Sequence, residues 1–178
     1  MRPPGEIWIF VYQKMPTHLS EHCDSDCAAD RDTRTSCVVE RDGEHLIDMS
    51  VSKQSLIALS SGEAELYAII KGTAMGVQTT QIIEAMTRLP CKLVVLSDSS
   101  TARSICNWQG SGKVRHLSVK DLWVQEFFRE RSGELLKVDG SVNWADLGTK
   151  AHPKARLDQL LEMMPLRRRD PLREGLSA

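Results

Sequence analysis

Asp24, Glu65, Asp98 and Asp146 are the side chains of this sequence best placed to do chemistry. Each lies where a short apolar stretch gives way to a turn or a helix start: HCDSDCAAD, SSGEAELYAII, CKLVVLSDSSTA and VNWADLGTK. One such carboxylate is ordinary. Four at the ends of successive elements can converge on one sheet edge, where their mutual repulsion calls for a cation. An all-oxygen ligand set favours a hard ion such as Mg²⁺. Carboxylates holding two such ions are a recurring means of cutting phosphodiesters.

Each acid has a competing role. Glu63 and Glu65 are two residues apart, which on a helix separates them by roughly 200°, so they cannot both face one metal. Glu63 has the capping-box spacing from Ser60 and suits the cap. Glu65 shares a stripe with Ala68, Ile69, Gly72 and Gly76, small or apolar residues suited to packing on a sheet. Asp24 and Asp26 share a strand face because the period is two; Asp24 is the first choice and Asp26 the reserve. Asp98 after a strand also fits a helix N-cap, a role compatible with binding metal. Asp146 near a helix start is the least distinctive of the four.

The elements that must position these acids can be read in order. The 178 residues suit one domain with a real core. Residues 1–18, with Ile7–Tyr12 as a short strand, read as a lead-in. Leu19–Cys23 forms a strand running into Asp24. Ser36–Glu40 and Leu46–Val51 form a hairpin, with Asp42-Gly43 as a type I′ turn signal. Ser55–Leu59 reads as a further short strand. A helix follows from Ser60 to about Met86, closed by Pro90. Lys92–Ser97 reads as a strand buried on both faces. Ser99–Trp108 is helical, and a second capping spacing, Ser118 with Asp121, opens a helix to about Arg131 that stops near Gly133. Glu134–Val138 is the last strand, followed by helical stretches at Asn143–Thr149 and Lys154–Met164. The domain thus spans 19–164, and 165–178 is a loose basic tail. Antiparallel strands followed by alternation with helices imply a mixed α/β sheet of about five strands with helices on both faces.

Composition excludes some classes. Apolar residues make up 41% of the chain, which fits neither a disordered nor a membrane-embedded protein. The longest apolar runs are too short to cross a bilayer, and the first residues lack a signal-peptide core, so an intracellular protein is expected, cytoplasm and nucleus being undistinguished. The net charge of −1 does not announce nucleic-acid binding. Locally, Arg115, His116 and Lys120 form a basic cluster suited to phosphate contact or to a solvated face, and Arg167–Arg169 suit a solvated tail. The five Cys contain no C-x-x-C pair and read as free thiols. On a strand Cys23 and Cys27 lie about 13 Å apart, too far to share a zinc ion. Trp108, Trp123 and Trp144 read as core or partly buried anchors.

Taken in order, SKQSLIALSSGEAELYAI, SDSSTARSI, GKVRHLSVKDLWVQE and NWADLGTK resemble the ribonuclease H domain of copia-type retrotransposon Pol polyproteins. The resemblance covers roughly residues 19–155. It implies a ribonuclease H-like fold and endonucleolytic cleavage of the RNA strand of RNA/DNA hybrids. It also implies two Mg²⁺ ions, with Mn²⁺ as the substitute, held by Asp24, Glu65, Asp98 and Asp146. An RNA/DNA hybrid and, in a parent polyprotein, a reverse transcriptase domain are the implied partners. Cys27 and Ala29 stand where the family has Trp and Gly. That departure motivates an alternative, an inactive relic or nucleic-acid-binding module of the same fold. A DNA-directed nuclease of that fold is the third reading.

Overall fold

The computed structural model describes residues 8–10, 12–26, 34–109, 121–130, 132–164 and 166–168, with 8–10 and 166–168 as backbone alone. Strand β1 is Trp8–Phe10, β2 His18–Ser25, β3 Thr35–Asp42 and β4 His45–Lys53. Helix α1, Ser61–Thr87, leads to β5, Lys92–Ser97, then α2, Ser100–Asn107, and α3, Trp123–Arg129. Strand β6 is Glu134–Lys137; a 3₁₀ turn at Gly140–Val142 precedes α4, Asp146–Thr149, and α5, Lys154–Met163, with β7 at Leu166–Arg168. The main sheet runs β4-β3-β2-β5-β6. β2 is antiparallel to β3 but parallel to β5, and β5 is parallel to β6.

β2 lies at the centre, and every residue after His18 is buried. Its side chains alternate between two cores. Cys23 and Val38 join Leu66, Ala68, Ile69, Leu93 and Val95 under α1. Cys37 and Val39, one residue either side of Val38, pack instead with Trp144, Ala145 and Met164. Because neighbours on a strand point to opposite faces, the sheet is covered on both sides. α1 approaches closely through glycine: a Cβ at Gly72 would collide with Cys23 Sγ, and one at Gly76 would lie 2.9 Å from Glu21 Oε1.

The start of α1 follows its sequence signal. The Glu63 amide donates to Ser60 Oγ (3.2 Å), and Glu63 Oε2 accepts from the Leu59 amide (2.7 Å). The Tyr67 hydroxyl completes the group by donating to Glu63 Oε1 (2.9 Å). Glu63 is therefore engaged in the cap, which leaves Glu65 for the other face.

Four expectations differ from the structure. Ser55–Leu59 is not a strand: Gln54 Nε2 donates to Ser36 Oγ and Ala64 O, both at 2.8 Å, so the chain is turned into α1 one residue past β4. The β3–β4 hairpin closes at Asp42↔His45, making Gly43-Glu44 the turn. Among the described residues Gly43 has φ +59° while Glu44 does not share the positive sign, so the type I′ turn, which needs both, does not form. Asn143–Thr149 is helical only from Asp146, because Asn143 is held to β2 by its side chain. Leu166–Arg168, read as loose tail, pairs antiparallel with Trp8–Phe10; three-residue strands so far apart in sequence carry no periodicity to recognise.

Candidate metal centre at the ends of the central strands

The parallel register of β2 and β5 sets the site. His22 pairs with Leu96, so two residues on Asp24 stands opposite Asp98, at the carboxyl end of each strand. Adjacent strands are about 4.8 Å apart. Glu65, in the second turn of α1, reaches the same place, and its Oε2 accepts from the Ser25 amide (3.2 Å). Asp24, Glu65 and Asp98 each offer a carboxylate oxygen within 4.8 Å of the others. Three residues separated by 41 and 33 positions in sequence thus meet at one point.

Asp146 is treated differently. It is buried (6% exposed) but stands outside that trio, its Oδ1 taking the Lys150 ammonium one helical turn on. Lys150 Nζ also lies 3.4 Å from Asp24 Oδ2, and the same oxygen accepts from the Thr149 hydroxyl. Lys150 therefore bridges the first and last acids. Asn143, fully buried, holds this arrangement to the sheet by donating to Cys23 O at 3.3 Å. The 3₁₀ turn closes over Asp98: a Cβ at Gly140 would stand 3.0 Å from Asp98 Oδ2.

The electrostatics follow from crowding. Burial pushes Asp24 up to about 6, opposed by Thr149 and Lys150 and reinforced by Asp146 and Asp98. Burial pushes Glu65 up to about 8, helped by the charges of Asp24 and Asp98 and opposed by Ser25. Burial alone would lower Lys150, but the bond to Asp146 and the charges of Asp24, Asp146 and Asp98 outweigh it and hold the ammonium above its ordinary pKa. Carboxylates that resist ionising beside one another are relieved by a cation. An oxygen-only trio of this reach suits a hard divalent ion.

Asp26, the reserve ligand, is occupied at the strand end, its Oδ1 accepting from the Thr35 amide (3.0 Å). Arg115, His116 and Lys120, with Cys27 and Ala29, lie outside the described residues. Trp144 is a core residue (4% exposed), stacked on His22 at 5.5 Å and capped by Arg41, whose Cζ lies 3.7 Å from the ring centre. Cys23, Cys37, Cys91 and Cys106 are buried free thiols. Thr149 and Lys150 were not singled out from sequence; the signal was their spacing of three and four from Asp146, which places them on its helical face.

Removing the Lys150 charge has an expected consequence. Lys150→Met should destabilise the protein in a chelator by about 1–2 kcal/mol, less than a fully buried pair because the side chain is 45% exposed. The same change should tighten Mg²⁺ binding, since an internal competitor is gone. Denaturant melts in EDTA and calorimetric Mg²⁺ titration measure the two effects; loss of both stability and metal affinity would contradict the competition.

The topology and layers described above are those of the ribonuclease H-like fold. The solved N-terminal RNase H domain of rv2228c from Mycobacterium tuberculosis, a maltose-binding-protein fusion, superposes with a TM-score of 0.52 at 17% identity, covering 82% of this chain and 97% of that one. In sequence, the chain is similar to the retrovirus-related Pol polyprotein from transposon TNT 1-94 of Nicotiana tabacum, 25% identical over 149 residues. That match takes in 82% of this chain but only 11% of the polyprotein. No family model matches the chain. Among the described residues no helix is long and apolar enough to cross a membrane.

Proposed function

We propose that this chain is a ribonuclease H-type endonuclease that hydrolyses the RNA strand of RNA/DNA hybrids, as a part of a copia-type retrotransposon polyprotein. The carrying observation is the meeting of Asp24, Glu65 and Asp98 within 4.8 Å at the strand ends. These three would hold two divalent cations, Mg²⁺ or its substitute Mn²⁺, with Asp146 joining once Lys150 releases it. Bound there, such ions lower the pKa of water and stabilise a leaving oxygen.

The protein's own groups do the rest. The Ser25 amide fixes the Glu65 carboxylate, and Thr149 fixes that of Asp24. Burial of Asp24 (1% exposed) keeps bulk water from it and strengthens its interaction with any cation. Both carboxyl groups must shed protons to act as ligands, so the affinity of the metal-free protein for Mg²⁺ should rise with pH from about 6 to about 8, the positions to which Asp24 and Glu65 are pushed, and a bound ion would draw both titrations downward. Selection of RNA over DNA would rest on 2′-hydroxyls read across the shallow minor groove. A reverse transcriptase domain is the expected neighbour in a parent polyprotein.

The test is cleavage of a labelled hybrid, with Mg²⁺ and with EDTA, beside duplex DNA of the same sequence. Mg²⁺-dependent cutting confined to the RNA strand is the expected result. One observation favours a second reading: Lys150 already neutralises two of the acids, as a binding module that never loads metal would require. Salt-dependent hybrid binding without cleavage would establish that reading, and cutting of duplex DNA would replace both.

A further inference from the structure

The three carboxylates of the trio are not held alike. The Ser25 amide fixes Glu65 and the Thr149 hydroxyl fixes Asp24, each by a hydrogen bond. Among the described residues no donor bonds to the Asp98 carboxylate. Its close neighbour is the 3₁₀ turn, Gly140–Val142. A Cβ at Gly140 would stand 3.0 Å from Asp98 Oδ2 and 4.0 Å from its Cγ, so close that the carboxylate would have to give by a few tenths of an ångström. Backbone conformation does not demand glycine at this position. Among the described residues Gly43 is the one glycine with positive φ, so alanine could take up the backbone of residue 140 without strain. The absence of a side chain at 140 answers to Asp98.

The turn is itself held from several sides. The Ser141 amide donates to Asp139 Oδ1 (2.8 Å) and the Val142 amide to Asp139 O (2.9 Å), which closes it. The Val138 amide donates to Ser97 O at 3.3 Å and ties its approach to the strand that carries Asp98. The remaining tie comes from α5. Arg156 Nη2 donates to Ser141 O at 2.7 Å and, at longer reach, to Gly140 O at 3.4 Å. A hydrogen bond from a charged donor is roughly twice as strong as a neutral one. Arg156 therefore grips the residue that leans on Asp98 and the residue after it.

We propose that Arg156 is a positioning residue of the carboxylate centre: it pins the turn, the turn places the Asp98 carboxylate through Gly140, and that placement determines which divalent ion the trio prefers. The inference rests on the proposed metal centre and names the source of its ion preference. Mg²⁺ requires near-octahedral oxygens at about 2.0–2.1 Å, whereas Ca²⁺ accepts a looser and larger set at about 2.3–2.6 Å. Shifting or loosening one ligand by a few tenths of an ångström therefore penalises Mg²⁺ more than Ca²⁺.

The experiment is calorimetric titration of Mg²⁺, and separately of Ca²⁺, into the unaltered chain, Gly140→Ala, Arg156→Met and the α5 control Lys154→Met. Gly140→Ala should weaken Mg²⁺ binding by about 10–100-fold, the range for a lost supporting contact, and move the Mg²⁺/Ca²⁺ affinity ratio towards Ca²⁺ by about tenfold. Arg156→Met should move the ratio the same way by about threefold or more, and Lys154→Met should leave it in place. An unchanged ratio in Gly140→Ala or in Arg156→Met overturns the assignment while leaving the metal centre standing. Equal weakening of both ions does so too, since a merely loosened fold would give that result. An unaltered chain that binds neither ion overturns the metal centre, and this inference with it. Thermal melts in EDTA identify a variant that has lost its fold. Gly140→Ser, which carries the same Cβ, or Arg156→Lys, whose shorter side chain falls back from the turn, then takes its place, an unchanged ratio again overturning the assignment.

Discussion

Asp98→Asn should reduce hybrid cleavage by at least about 10³-fold, because loss of a residue that only supports a ligand already costs about 10–100-fold. The fold should survive. Asp98 is half-buried, and its charge acts on Asp24 and Glu65 mainly by repulsion. Neutralising it relieves both neighbours, so the metal-free variant should melt no lower than the parent. Glu65 should also ionise more readily, since Asp98 is among the charges that push it up. Cleavage rate and a denaturant melt in EDTA are the two measurements. Activity at the parent rate would end the assignment of Asp98 as a ligand, and a variant that is inactive because unfolded would show the residue to be structural.

Glu21→Gln should stabilise the protein at alkaline pH by on the order of 2 kcal/mol or more. Glu21 is fully buried beneath Gly76, directly across from the buried Glu40, which in turn faces Asp48. The Glu21 carboxyl meets that of Glu40, and neither oxygen finds any other hydrogen-bond partner among the described residues. Burial, then Glu40 and Asp48, push its pKa from 4.5 to about 10. Folding therefore holds a proton that the unfolded chain releases. The stability this confers is complete below about pH 4.5 and is lost as pH rises through about 10, at up to about 1.4 kcal/mol per pH unit. A glutamine has no proton to lose there, although its own burial offsets part of the gain. Urea melts at several pH values should show the parent's stability falling more steeply than the variant's. Parallel curves would mean that Glu21 is not the group responsible.

Much of the candidate site was legible because its parts are local. Ser60 and Glu63 announce a helix start by spacing, and the Glu63 amide meets Ser60 Oγ as that spacing requires, while the Glu63 carboxylate takes the Leu59 amide, one residue before the expected Ser60. Asp98 follows an apolar run, and its strand is buried as the run implies. The small residues at 72 and 76 mark a helix that must approach a sheet. What stayed hidden depends on pairs that meet only after folding. Glu21 opposite Glu40 is visible only once the register of β2 and β3 is known. Lys150 reads in sequence as an ordinary surface charge four residues after an acid; only the arrival of Asp24 from another strand makes it a bridge. Ser55–Leu59 resembled a strand because it is a short, mostly apolar run, but Gln54 had already bound the chain back to Ser36 and Ala64. Local pattern reports what a segment would accept, and tertiary partners decide what it receives.

The ammonium between Asp24 and Asp146 bears on how such a protein comes of age. A chain that supplies its own positive charge where its acids collide can complete its fold before any ion arrives. Its maturation would then be uncoupled from metal supply, and any loading would be a reversible exchange at an assembled surface, in which a tethered lysine would yield its place and reclaim it when the ion departs.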